Sequence, residues 1–248
     1  MNIALVGTGK TGKAIEALAL ADGHTIIARF NSGNPLLHQK DGSVFDNCDV
    51  VIDFSTPALA LRHISYYCAR QLNVVMGTTG WYEELKQVQE MVDASNCALL
   101  YAPNFSIGVV VLSRVLQQAA QLFDKLPEYD VSLHEAHHKY KLDSPSGTAL
   151  HLAHILTEQM ERKTHITPDA QYKQIPATAL HVSSQRVGHV FGQHTVTFDG
   201  PYDQITLAHD AKNRNGFASG AIRAAEWLNG KKGLFTLEDL LNDWLKDA

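Results

Sequence analysis

Residues 2–12 read NIALVGTGKTG, and the fold turns on how that stretch is read. Residues 2–6 are an apolar run of strand length. They end in Gly7-Thr8-Gly9-Lys10-Thr11-Gly12, after which Ile15, Leu18 and Ala19 recur at helical spacing. Strand, glycine turn and helix in that order form the G-x-G-x-x-G arrangement, in which the backbone closes on a pyrophosphate. Gly7 makes the tight turn, Gly9 keeps a side chain out of the phosphate path, and Gly12 lets helix pack on strand. The helix start offers free N–H groups and partial positive charge to an anion. The same letters nearly spell an NTPase phosphate loop, since Gly7, four residues and Gly12-Lys13 fit G-x-x-x-x-G-K. The next residue should carry a hydroxyl for Mg²⁺, and it is Ala14. A glycine turn without any ligand is the remaining alternative.

Outward from this motif, apolar strands at 24–29, 49–54, 73–76 and 98–101 alternate with helical stretches at 58–71 and 83–94, the first opened by Pro57. Strands separated by helices of this length imply right-handed crossovers and a parallel α/β sheet. After about residue 105 the pattern changes. A long helix is expected at 107–122 and another at 148–160. Residues 129–137 alternate, with Val131, Leu133, Glu135 and His137 on one face and Ser132, His134 and Ala136 on the other. The stretches ATALHVSSQR, GHVFGQHTVTFDG and DQITLAHDA have strand character. This second part reads as α+β with antiparallel strands. The tail returns to helix at 218–228, with Gly230 as its cap, and Thr236 with Asp239 starts a last helix. The expected division is a dinucleotide-binding domain at 1–106 completed by 216–248, and a second domain at 107–215.

The bulk composition is that of an ordinary globular chain: 248 residues, 45% hydrophobic and 19% charged. No stretch approaches the roughly 20 apolar residues of a membrane span, and with an apolar strand directly at the N-terminus no secretory leader is expected. A formal charge of -5 argues against a nucleic-acid partner. Cys48, Cys68 and Cys97 form no C-x-x-C pair and are expected to be reduced thiols, in keeping with the cytoplasm.

Four further segments carry chemistry. The second strand ends Ile27-Ala28-Arg29 with no acid to hold ribose hydroxyls, so Arg29 either faces a 2′-phosphate, favouring NADPH, or is a solvated surface residue. Gly77-Thr78-Thr79-Gly80 and Ala102-Pro103-Asn104-Phe105 follow strands, where open α/β sheets bind ligands; each could also be an ordinary turn. Residues 135–150 read EAHHKYKLDSPSGTAL. His137 and His138 end a strand, Lys141 follows, and Ser146-Gly147-Thr148 opens a helix. Thr148 and the N–H groups near Gly147 can hold a carboxylate, with positive charge from Lys141 and His138. A histidine can donate a proton near neutral pH. The alternatives are a surface histidine pair, a helix cap without ligand, or a metal site, for which the cysteines supply no suitable spacing. No metal is expected.

Taken together, Glu135-Ala136-His137-His138, Lys141 and Asp143-Ser144-Pro145-Ser146-Gly147-Thr148-Ala149 resemble the signature of the 4-hydroxy-tetrahydrodipicolinate reductase family. The glycine loop, DVVIDFSTPA, GTTGW, APNFSIGV and FASGAIRAAEWL match in the same order, over nearly the whole chain. The resemblance implies a Rossmann-like domain plus an α+β domain that binds substrate and builds a homotetramer. It implies hydride delivery from NADH or NADPH to C4 of the dehydrated substrate, giving tetrahydrodipicolinate in the diaminopimelate and lysine pathway. His137 would be the proton donor, with Lys141 assisting. His138, Ser146, Gly147 and Thr148 would hold the carboxylates of the small dicarboxylate. Gly7 to Gly12, including Thr8, Lys10 and Thr11, would hold the pyrophosphate; Gly77, Thr78 and Thr79, with Ala102, Pro103, Asn104 and Phe105, would hold the nicotinamide end. The chain departs from the family in its shorter glycine loop and missing acid after the second strand, which leaves NADH against NADPH open. The competing readings are another nicotinamide dehydrogenase of amino-acid metabolism, a non-catalytic dinucleotide sensor, and the NTPase.

Overall fold

The structure is a computed structural model that describes residues 1–39, 41–168 and 170–246; the last two residues of the expected segment 216–248 lie outside it. The chain forms two compact units, Met1–Ile107 with Arg214–Ala248, and Gly108–Asn213.

In the first unit β1 (Asn2–Val6), α1 (Lys10–Ala21), β2 (Thr25–Phe30), β3 (Val50–Asp53), α2 (Ala60–Ala69), β4 (Val74–Met76), α3 (Leu85–Asp93) and β5 (Ala98–Tyr101) follow in order. All residues of β3 and β4 are buried, as are four of five in β1. Continuous apolar strands of this kind form where helices cover both faces of a parallel sheet. A 3-10 turn at Pro57–Leu59 precedes α2, and another at Tyr82–Glu84 precedes α3. Both stretches were expected as plain helix; 3-10 turns are frequent at helix N-termini.

In the second unit α4 (Ile107–Asp124), β6 (Asp130–His137), α5 (Gly147–Gln159), β7 (His165–Pro168), β8 (Ala179–Arg186), β9 (Gln193–Asp199) and β10 (Gln204–Asp210) build a five-stranded sheet of order β10-β9-β6-β8-β7. The pairings β10 to β9 and β9 to β6 are antiparallel, but β6 to β8 and β8 to β7 are parallel. The expectation of an antiparallel sheet is corrected here: α5 carries the chain back across the sheet so that β7 runs with β6, and β8 lies parallel to both. Leu112, Leu116 and Phe123 of α4 and Leu152 and Leu156 of α5 pack on Val131, Leu133, Val182, Val196 and Phe198. The other sheet face carries Ser132 and His134, both exposed. Strand β7 was not anticipated, being four residues long and ending in Pro168.

The tail supplies α6 (Asn215–Trp227), β11 (Gly233–Thr236) and α7 (Leu237–Lys246). The Thr236 N–H and hydroxyl both bond to the Asp239 carboxylate, at 2.7 and 2.9 Å, so the expected start of the last helix is present. Strand β11 was missed because GLFT is too short to show a period. It pairs in parallel with β5 and completes a six-stranded sheet of order β11-β5-β4-β3-β1-β2. Chain order reverses between β1 and β3, which opens a crevice at their C-terminal ends. Among the described residues no helix is long and apolar enough to cross a membrane.

Gly7 sits at that crevice with φ +90, and a Cβ there would lie 2.1 Å from the Phe54 carbonyl oxygen. Gly7→Ala is therefore expected to destabilise the fold by about 2 kcal/mol or more, from backbone strain and the clash together. Urea unfolding of the two proteins side by side measures the difference.

Candidate active site

The first unit holds a cleft of about 380 Å³ at the β1/β3 crevice, lined by Gly9, Lys10, Thr11, Gly12, Phe54, Ser55, Pro57, Gly77, Thr78 and Thr79. Gly9 is the N-cap of α1 and no side chain caps the helix, so the first-turn N–H groups remain open to a ligand. Gly12 could not carry a side chain, since its Cβ would meet the Gly7 oxygen at 1.9 Å. These features fit a pyrophosphate: a cradle that excludes side chains, beneath an uncapped helix end. Thr8 accepts a 3.3 Å bond from Asn31.

One wall of the cleft is organised by Asp53, which is 0% exposed. Its carboxylate accepts from Ser55 N–H at 2.9 Å, the Thr78 hydroxyl at 3.0 Å and the Tyr67 hydroxyl at 2.7 Å, and meets His63 Nδ1 at 2.8 Å. Burial pushes its pKa up, but His63, Ser55 and Tyr67 outweigh that and hold it below the usual carboxylate value. Thr78 is thus occupied in holding the loop, while Thr79 is exposed. Ala102 and Phe105 are buried, the latter with its ring 5.5 Å from Phe54, and Asn104 accepts from the Ser106 N–H at 2.8 Å. Pro103 is exposed. Arg29 is not a plain solvated residue: its guanidinium pairs with Glu16 of α1 at 2.7 Å.

The second unit gathers the histidines and lysine. Strand β6 delivers Glu135 and His137 to one face, and His137 Nδ1 bonds to Glu135 Oε2. Lys141 Nζ grips both oxygens of Asp143, at 2.8 and 2.9 Å. Asp143 is held below its ordinary pKa, chiefly by Lys141, with the Gly147 N–H adding to the effect. Ser146 caps α5, accepting from Ala149 N–H at 3.2 Å, and its hydroxyl lies 3.2 Å from His194 Nε2. His138 Nδ1 is buried and without a partner. Gly147 is exposed and Thr148 half-buried at the start of α5.

Sequence reasoning overlooked Arg186 and His194. Arg186 ends β8 opposite His137 and pairs with Glu135 Oε1 at 2.8 Å; His194 stands edge-on to His137, ring centroids 5.3 Å apart. Their advance signal was the charged Glu135 beside His137 on a strand face that begins with Val131 and Leu133. Glu135, His137 and His194 offer metal-ligand atoms within 4.8 Å of one another, but the carboxylate already carries its counter-charge in Arg186. Burial pushes His137 below its ordinary pKa, and Lys141 and Arg186 push the same way against Glu135.

Residues 1–105 match the family described as dihydrodipicolinate reductase, N-terminus, and residues 108–241 match dihydrodipicolinate reductase, C-terminus. The chain belongs to the dihydrodipicolinate reductase family. It is 38% identical over 248 residues to 4-hydroxy-tetrahydrodipicolinate reductase of Christiangramia forsetii, covering 100% of both chains. It is also 38% identical over 253 residues to the enzyme of the same name from Rickettsia bellii, covering 99% of this chain and 98% of that one. Among solved structures, a dipicolinate-bound dihydrodipicolinate reductase from Paenisporosarcina sp. TG-14 shares the fold, with a TM-score of 0.76 and 23% identity over 95% of this chain and 97% of that one. The α/β fold and the oxidoreductase class expected from the sequence are borne out.

Burial, reinforced by the neighbouring His137, lowers His194 to about 4. Unfolded, this imidazole takes its proton near pH 6.5, so between there and about pH 4 the unfolded state binds more protons. Stability should fall with decreasing pH through that window, by up to about 1.4 kcal/mol per pH unit from this group. Urea titrations at pH 7, 6 and 5 should show a shallower dependence in His194→Gln than in the parent.

Proposed function

We propose that this chain reduces 4-hydroxy-tetrahydrodipicolinate to tetrahydrodipicolinate with NADPH or NADH, in the diaminopimelate and lysine pathway. The observation that carries the site assignment is Asp143. Its carboxylate rests on Lys141 Nζ beside the start of α5, within the segment that also holds His137 and His138. A place that already holds one carboxylate by a cation and a helix end is suited to the carboxylates of a small dicarboxylate.

The first unit is the dinucleotide-binding domain and the second the substrate-binding and assembly domain. Gly7 to Gly12 hold the pyrophosphate; Gly77, Thr78 and Thr79 and the backbone of Ala102 to Phe105 hold the nicotinamide end. The substrate loses its 4-hydroxyl as water, and a bound nicotinamide would supply the hydride to C4 of the conjugated imine that remains. His138, Ser146, Gly147 and Thr148 bind substrate carboxylates, and the unpartnered Nδ1 of His138 supports that role. Lys141 transfers its grip from Asp143 to the substrate and polarises it. His137 supplies the proton that quenches the electron density left on the ring. Since His137 sits below its ordinary pKa in the free protein, the negative charge of a bound dicarboxylate favours its protonated form. The positive side chains are focused locally although the chain is acidic overall.

Arg29 faces the 2′-phosphate of NADPH in this reading, sharing its guanidinium with Glu16. The open sheet face bearing Ser132 and His134 supports assembly of copies, proposed as a homotetramer. Light scattering during gel filtration tests it; a monomer would remove the proposal. The cytoplasm is the proposed setting, in keeping with the free thiols of Cys48, Cys68 and Cys97.

The activity is tested by loss of nicotinamide absorbance, with substrate generated in place from pyruvate and aspartate semialdehyde by the preceding synthase. Substrate-dependent oxidation is expected. Binding of the cofactor without oxidation would favour a sensor. His137→Ala and Lys141→Ala should each lower kcat at least about 100-fold, the usual range for a lost acid, with little change in cofactor affinity. Near-parental turnover in both would remove their roles. Arg29→Ala should raise KM for NADPH more than for NADH, and equal effects would mean that it does not meet the 2′-phosphate.

A further inference from the structure

We propose that Glu135 is a positioning residue for the proton donor: its buried carboxylate, oriented by Arg186, dictates which nitrogen of His137 carries the proton. The inference rests on the reading of His137 as that donor, but the tautomer itself can be observed in the free protein.

The arrangement begins with the strand period. Residues two apart on β6 share a face, so Glu135 and His137 are side-chain neighbours on the covered face that begins with Val131 and Leu133. Glu135 is 0% exposed. A carboxylate in that position persists only with partners that answer its charge. Oε1 takes the Arg186 Nη2 at 2.8 Å and the Ser146 N–H at 3.4 Å, which leaves Oε2 for His137 Nδ1. Arg186 is itself held, donating to the Gln185 and Asp143 carbonyl oxygens at 2.8 and 2.5 Å. The carboxylate is thereby fixed in rotation.

An ionised carboxylate only accepts hydrogen bonds. Burial pushes Glu135 toward neutrality, but Arg186, Ser184 and His137 overcome this and hold its pKa below the usual value, so it is ionised at neutral pH. His137 Nδ1 must then be the N–H nitrogen, and Nε2 is the one that exchanges a proton with a ligand. A second feature agrees. Residue 192 is glycine, and a Cβ there would lie 2.9 Å from His137 Nε2. A side chain at 192 would crowd that nitrogen, and glycine places none there.

The test uses the full chain labelled with ¹⁵N-histidine. Long-range proton–nitrogen spectra are taken at pH 8, and His137 is assigned by its loss in His137→Gln. The parent is expected to show the Nδ1–H tautomer. In Glu135→Gln, Arg186 retains the amide oxygen, which turns the NH₂ toward Nδ1 and forces the Nε2–H tautomer. Turnover should fall at least about tenfold, as wrong tautomers do in other carboxylate–histidine pairs, with KM for the nicotinamide cofactor within about twofold. An Nε2–H tautomer in the parent would overturn the proposal. So would a tautomer unchanged in the variant, or a switched tautomer with parental turnover. Should Glu135→Gln fail to fold, Arg186→Met and Arg186→Lys answer the same question. Met should give mixed tautomers and slow turnover, and Lys should restore both; parental behaviour in the Met variant would overturn it. If the tautomer switches as expected but the parent oxidises neither cofactor with the substrate, the proposed reaction fails while the control of His137 by Glu135 stands.

Discussion

A carboxylate removed from water has to be answered by donors, and it draws those donors from several parts of the chain at once. Glu135 does this in the second unit. It joins the end of β6 to the end of β8 through Arg186, to the start of α5 through the Ser146 N–H, and to His137 on its own strand. Take away Arg186 and a buried charge is left uncompensated, at a cost of several kcal/mol. The same group that makes the locality expensive to disturb therefore holds the chemical residues of the segment in one arrangement.

The first unit solves the crevice of its parallel sheet by the same means. Asp53 ends a fully buried strand, and its partners come from the loop after β3, the loop after β4 and helix α2. The result is a wall of Ser55 and Thr78 facing the glycine loop, with the helix end of α1 left uncapped. Polar groups that satisfy one another hold a loop in one conformation, where apolar packing alone tolerates several. Two units of different architecture thus use a buried acid near the C-terminal end of a strand to order the polar residues around it.

The glycine spacing at 7, 9 and 12 was readable because each position answers a local steric demand, and Gly7 and Gly12 meet backbone atoms as that demand requires. The start of α7 was readable for the same reason, Thr236 and Asp239 being near neighbours in sequence. The pairing of Arg29 with Glu16 was not, because it joins a strand to the helix before it and leaves no periodic trace. Strands β7 and β11 are four residues each and owe their existence to the edges they pair with. The parallel direction of β7 depends on where α5 returns the chain, and that of β8 on the connection after β7, which no local pattern records.

By itself the sequence determined the strand–turn–helix opening, the alternation of β6 that places Glu135 with His137 on one face, and the segment from 135 to 149 that ties the chain to its family. These follow from periods and spacings of a few residues, over which backbone geometry leaves little choice. Only the tertiary structure decided that Arg186 and His194 join His137, that His63 and Tyr67 answer Asp53, and that Asp143 lies on Lys141. Except for the last, those pairs lie ten or more residues apart and meet through sheet register and helix packing. Burial then converts the meeting into chemistry, because the strength of a charge and the pKa of an imidazole depend on the surrounding medium, which no residue carries in its own name.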